Sequence, residues 1–216
     1  MHRSLVLLLK RHRSFLIPFL LFIVLGAALQ LVFKKSELFL IVNRNHNEGW
    51  DSFFLAYTWL GDGITIVVAA LLVSLLKYRY TVLIMLAYLY TSLVAQLLKY
   101  LFNSPRPVKF FEGGEKIRLI EGLSVYSWKS FPSGHTVSAF AFAVVIAYLI
   151  PQKKWGWLIF LLFLPVAFSR VYLAQHFFQD IYAGAVIGTL LTFQLIVWLE
   201  NQGWYKSEKL EGRLFG

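Results

Sequence analysis

Residues 15–33 read FLIPFLLFIVLGAALQLVF, an unbroken apolar run without a single charge. At 1.5 Å per residue, a helix of about 20 such residues crosses the roughly 30 Å hydrocarbon core of a bilayer. Five further stretches repeat the pattern: one within 52–76, then 80–98, 136–150, 155–174 and 181–199. The pattern predicts an all-α fold, a six-span transmembrane helical bundle. Composition agrees, because 58% of the chain is apolar and 15% charged, against about 45–50% and about 25% in a soluble domain. A globule of 216 residues could not hide that excess internally, so lipid must be part of its solvent.

Two of the six stretches carry ambiguities. Gly61-Asp62-Gly63 interrupts the second, and an unpaired carboxylate in lipid is costly. Residues 50–60 are therefore read as an interfacial helix, with the span starting near Gly63; a kinked span is the alternative. Asp62 itself reads as a helix cap, with a place in a functional site as the second option. The fourth stretch is short unless Pro132-Ser133-Gly134-His135 opens its helix.

Turns at 77–79 and 152–154 are tight, whereas 100–131 is a long, charge-rich loop. Loops of that length are usually functional or disordered. Six spans put both termini on one side and this loop, between spans 3 and 4, on the other, which makes it external. Of 21 Lys and Arg, the side of the termini holds eleven and the other side ten; with Lys99, Arg106 and Arg170 set aside for chemistry, the balance is a modest bias that places the termini in the cytoplasm. Residues 1–14 form a basic amphipathic segment expected to lie on the membrane surface. They lack the small-residue cleavage site of a removed signal peptide. With no internal repeat, 1–216 is expected to be a single integral membrane domain. The net charge is +10, but the cations lie between apolar runs. Anionic headgroups or a phosphate substrate are thus the expected partners, not nucleic acid. The absence of cysteine excludes disulfides, iron–sulfur clusters and thiolate metal sites.

Three clusters carry chemistry: Lys99-Tyr-Leu-Phe-Asn-Ser-Pro-Arg106-Pro107, Phe131-Pro132-Ser133-Gly134-His135, and Ser169-Arg170 followed by His176 and Asp180. The first ends the third span, the second opens the fourth and the third joins the fifth to the sixth. Alternating spans put all three at one membrane face, where buried charges mark function. The residue types suit phosphoryl transfer, which spreads negative charge over the oxygens of phosphorus. Lys99, Arg106 and Arg170 would supply cations, and Arg can grip two oxygens. Ser133 and Gly134 stand where a helix begins, a place that favours anions. His135 and His176 can act as nucleophile or acid near neutral pH. Asp180, four residues after His176, shares its face if helical and could fix its tautomer.

These clusters resemble the signature of the type 2 phosphatidic acid phosphatase family, Lys-x6-Arg-Pro, Pro-Ser-Gly-His and Ser-Arg-x5-His-x3-Asp, in its membrane lipid phosphatase branch. The resemblance implies that His176 attacks phosphorus through a phosphohistidine intermediate, that Asp180 orients it, and that His135 is the general acid. It implies that Lys99, Arg106, Ser133, Gly134 and Arg170 hold the phosphate, with no metal and no cofactor. The expected activity is metal-independent hydrolysis of a phosphate or pyrophosphate group on a membrane lipid. Undecaprenyl pyrophosphate is the foremost candidate; phosphatidylglycerol phosphate, phosphatidic acid and lipid A phosphates are alternatives. The expected location is the bacterial inner membrane, with the site facing the periplasm or outside. Rival readings are a lipid-linked phosphotransferase and a non-catalytic anionic-lipid binding protein. A zinc site at His135, His176 and Asp180 is disfavoured, since the adjacent cations would repel the metal.

Elsewhere, Trp50, Trp128, Trp155 and Trp204 read as interfacial anchors. Asn43, Arg44, His46 and Asn47 read as a solvated loop. His2 and His12 have no evident partner. Residues 108–129, with Lys109, Lys116, Arg118 and Lys129, are expected to choose the headgroup.

Overall fold

The computed structural model describes residues 2–214, with side chains described for 6–214. Among these, every regular element is helical. Helix α1 (His2–Arg11) leads into α2 (Arg13–Val32), α3 (Lys35–Arg44), α4 (Glu48–Tyr57), α5 (Gly63–Val73) and α6 (Tyr78–Phe102). After a single turn, α7 (Pro107–Phe110), the chain reaches α8 (Gly134–Leu149), α9 (Gly156–Tyr172) and α10 (Phe178–Leu199).

Helix α8 is the axis of the bundle. It packs against α10, α6 and α9, and Val137, Ala139, Phe140, Ala141, Val144 and Val145 are buried around its circumference. A helix enclosed by protein on all sides is apolar all round. Small residues set the spacing: a Cβ added to Gly188 of α10 would sit 2.4 Å from the Val137 carbonyl oxygen. Only glycine lets the two backbones approach this closely. The outer helices turn apolar stripes outward. Leu89, Leu93 and Leu97 of α6 and Ile17, Leu20, Leu21 and Val24 of α2 are exposed. At four-residue spacing on one helix face, such a stripe suits contact with lipid tails.

The number of membrane-length helices differs from the six expected. Arg13–Val32, Tyr78–Phe110, Lys153–Tyr172 and Phe178–Leu199 are each long and apolar enough to cross a membrane. Glu48–Gly61 and Gly63–Val73 add a fifth if taken as one span, bent by 56°. Gly134–Leu149 has 16 residues, about 24 Å of helix, and falls short by length alone. It does begin at the Pro-Ser-Gly-His segment.

The second apolar stretch is broken at Asp62. A 3-10 turn at Thr58–Gly61 ends the first half, and the Asp62 side chain accepts from the Ile64 N–H to cap α5. Of the stretch read as a solvated loop, Asn43 and Arg44 belong to α3, while His46 and Asn47 lie exposed in the link to α4. Asn43 lies buried in α3, donating to the Arg118 carbonyl and accepting from the Arg118 N–H, both at 2.9 Å. Arg44 pairs with Glu115. The cause is the long loop, which folds back over α3 and covers Asn43.

Candidate active site

Lys99 lies in the last turn of α6, which ends at Asn103 in the left-handed conformation with φ 36°. Asn tolerates that conformation better than most residues. The Lys99 ammonium donates to the Lys129 carbonyl at 2.8 Å, tying the helix end to the end of the loop. Two backbone bonds zip the same loop: Arg106 N–H to the Ser127 carbonyl at 2.9 Å, and Ser130 N–H to the Ser104 carbonyl at 3.0 Å. Arg106 is thereby turned inward. Its Nε donates to the Trp128 carbonyl at 3.1 Å, and its Nη1 to the Gln175 carbonyl and side-chain oxygen at 3.3 and 3.0 Å.

Ser133 caps α8, receiving a bond from the Thr136 hydroxyl at 3.0 Å. Its own N–H donates to the Asp180 carbonyl at 3.0 Å. A Cβ on Gly134 would lie 3.7 Å from Lys99 Cε, so the start of α8 faces the lysine.

Arg170 ends α9. Its Nη1 donates to the Thr58 hydroxyl at 2.7 Å, and its buried Nε has no partner among the described residues. The chain then reverses through Ala174, at φ 55°. The N–H groups of Gln175 and His176 both donate to the Arg170 carbonyl, at 2.9 and 3.0 Å. That reversal sets His176 beside the first turn of α10. There Asp180 accepts from the Phe177 N–H at 2.9 Å, the back-reaching half of a capping box. The same carboxylate oxygen accepts from the Ser130 hydroxyl at 2.5 Å and lies 3.4 Å from His176 Nδ1. His176 and Asp180 are fully buried, at 2% and 0% exposure. Nε2 of His176 has no hydrogen-bond partner among the described residues.

The structure thus brings together all eight residues singled out from the sequence. Two lie closest to groups that the sequence reading missed. Ser130 and Gln175 support Asp180 and Arg106, yet neither stands out by type. Asp62 Oδ2 lies 3.5 Å from His135 Nε2, so the cap is also at the site. Its signal in the sequence was a carboxylate inside an apolar run.

Lys99, Arg106 and Arg170 are buried, at 7%, 9% and 8% exposure, against the carboxylates of Asp180 and Asp62. Buried charge without full compensation is costly, so the excess of cations suits an anionic guest. Burial drives the His176 imidazole far below its ordinary value, to about 3, although Asp180 pulls the other way. It is a neutral base at physiological pH, the form with a lone pair to give.

The sequence model of the PAP2 superfamily matches residues 79–204, from the start of α6 to beyond α10. This chain belongs to the PAP2 superfamily. An undecaprenyl-diphosphatase of Sulfolobus acidocaldarius is 26% identical over 193 residues, covering 85% of this chain and 90% of that protein. Among solved structures, Aquifex aeolicus LpxE superposes with a TM-score of 0.65 at 28% identity, over 76% of this chain and 93% of LpxE. A transmembrane PAP2-type phosphatidylglycerolphosphate phosphatase from Bacillus subtilis gives a TM-score of 0.63 at 24% identity, over 84% and 94%, a likeness of fold. With this family, the Sulfolobus relative and its apolar helices, the protein is an integral membrane phosphate-ester hydrolase of the PAP2 superfamily.

Proposed function

We propose that this PAP2 protein is a metal-independent lipid phosphatase that works through a phosphohistidine on His176. The observation that carries the reading is the His176–Asp180 pair. Nδ1 is taken by the buried carboxylate, which leaves Nε2 as the nucleophile. Lys99, Arg106 and Arg170 would hold the three equatorial oxygens, with the N–H groups at the start of α8 adding to them. A phosphate oxygen would give the unpartnered Arg170 Nε an acceptor.

In the first step Nε2 bonds to phosphorus as the P–O bond to the lipid breaks, and His135 gives its proton to the departing oxygen. Asp180 stabilises the positive charge left on His176. In the second step His135 takes a proton from water, the resulting hydroxyl bonds to phosphorus, the P–N bond breaks and phosphate is released.

A lipid substrate fits a site among helices whose outer faces are apolar. The same reading counts the bent pair and the short central helix as spans, six in all in one domain of 1–216. It places the 100–131 loop and the site on the outer side of a bacterial inner membrane. Undecaprenyl pyrophosphate is the foremost substrate, supported by the Sulfolobus relative; phosphatidylglycerol phosphate, phosphatidic acid and lipid A phosphates are its competitors. Phosphate release by purified protein from these lipids, ranked by kcat/KM, tests the reading. A clear preference for the pyrophosphate supports it, and binding without phosphate release from any of them overturns it.

A further inference from the structure

We propose that Asp62 is a positioning residue of the active site, where its carboxylate holds the protonated ring of His135 for proton transfer to the leaving oxygen. The proposal rests on the assignment of His135 as general acid. It starts from a geometric fact that helix capping does not require. One carboxylate oxygen of Asp62 accepts from the Ile64 N–H at 2.8 Å, which fixes the side chain. The other is left free to face His135 Nε2 at 3.5 Å.

The backbone is built around this approach. Gly61 lies so close to the start of α8 that a Cβ would stand 2.7 Å from the His135 carbonyl oxygen and 2.8 Å from Val166. Any larger residue would push the turn, and Asp62 with it, away from the histidine. The same turn supplies the Thr58 hydroxyl that receives Arg170 Nη1 at 2.7 Å. The break in the second span therefore serves two residues of the anion site, which explains why an apolar segment tolerates a carboxylate.

Electrostatics supply the reason such a group is needed. The charged groups that face His135 are Arg170 from α9, Arg106 from the loop, Lys99 from α6 and Asp62 from the break. Three cations repel a proton on the imidazole, and a fixed carboxylate is the one group among the four that retains it. A general acid must carry its proton into the transition state.

The test uses the full-length protein in detergent with two phosphomonoesters, dodecyl phosphate and 4-nitrophenyl phosphate. An alkoxide needs its proton as it leaves, whereas 4-nitrophenolate leaves without one. Asp62→Asn keeps an oxygen to cap Ile64 and removes only the charge. The expected result is a loss of kcat/KM on dodecyl phosphate of about 10- to 100-fold, toward the low end of what general acids contribute, with under about threefold on the aryl ester. Equal losses on both esters, or none on either, would overturn the proposal. His135→Ala serves as the reference. If its losses are also equal on both esters, the general-acid assignment falls and the role of Asp62 falls with it. If His135→Ala discriminates and Asp62→Asn does not, Asp62 alone is refuted.

Discussion

The N–H of Ser133 donates to the carbonyl of Asp180 across 3.0 Å, joining the start of α8 to the first turn of α10. That bond ties the residue that caps α8 to the backbone of the residue whose carboxylate faces His176. Displacing one therefore disturbs the other.

His176→Ala should abolish phosphate release while leaving a folded protein. Asp180→Asn should lower kcat by about 10²- to 10⁴-fold, since the imidazole loses both its orientation and its counter-charge. Acid-labile labelling of the protein by a radioactive phosphate donor checks the intermediate. Label surviving in His176→Ala would show that the phosphate goes elsewhere.

The acid limb of kcat/KM should lie well below the ordinary histidine value. Activity needs the free base of His176, and burial holds that group to about 3. Neutral imidazole therefore persists as pH falls through 6 and 5, and activity attributable to this group is lost only lower. A rate profile from pH 4 to 8, corrected for stability, should show no half-point near 6.5.

His12 gives a prediction about stability. It is buried between α1 and α2, at 2% exposure, with Nε2 unpartnered among the described residues. Burial, then Lys153 and Arg11, lower it to about 4. Between pH 6.5 and 4 the unfolded chain binds a proton that the native state does not, so stability falls as pH falls through that window. At about 1.4 kcal/mol per pH unit the loss approaches about 3 kcal/mol. His12→Phe should flatten the decline of Tm between pH 6.5 and 4.5, measured in one detergent. A slope matching the unsubstituted protein would remove His12 as the cause.

Gly188→Ala should destabilise the bundle by about 1–3 kcal/mol, the usual cost of overpacking. The added methyl meets the Val137 carbonyl oxygen at 2.4 Å and would pry α10 from α8. Activity should fall with stability, because α10 carries Asp180 and α8 carries His135. Thermal unfolding followed by tryptophan fluorescence would register the change.

Asn43→Ala should loosen the long loop. It removes both bonds to the Arg118 backbone and leaves buried groups unpaired, at about 1–3 kcal/mol. Faster proteolysis within 108–129 is the expected signature, with KM affected more than kcat.

Much of this protein was legible residue by residue. Apolar length is a local property, so the runs containing α2, α6, α9 and α10 announced themselves. The three clusters were equally readable, because charged and titratable side chains in an apolar chain have few structural reasons to exist. Asn43 was not legible. A short polar residue between Val42 and Arg44 looks solvated until a loop 75 residues later covers it. The second span was half legible: Asp62 marked an interruption, but nothing nearby in sequence named His135 as its neighbour.

By itself the sequence determined that the chain is helical and embedded in lipid, and that a cluster of Lys, Arg, His and Asp lies at the ends of its helices. Hydrophobic period and residue chemistry act locally and need no fold to be read. Only the tertiary structure decided that α8 is the enclosed axis, that glycines set its distance from α10, and that a broken helix brings a carboxylate to a histidine 73 residues away. Those outcomes depend on which surfaces exclude water from one another, and that is settled only when all the helices pack.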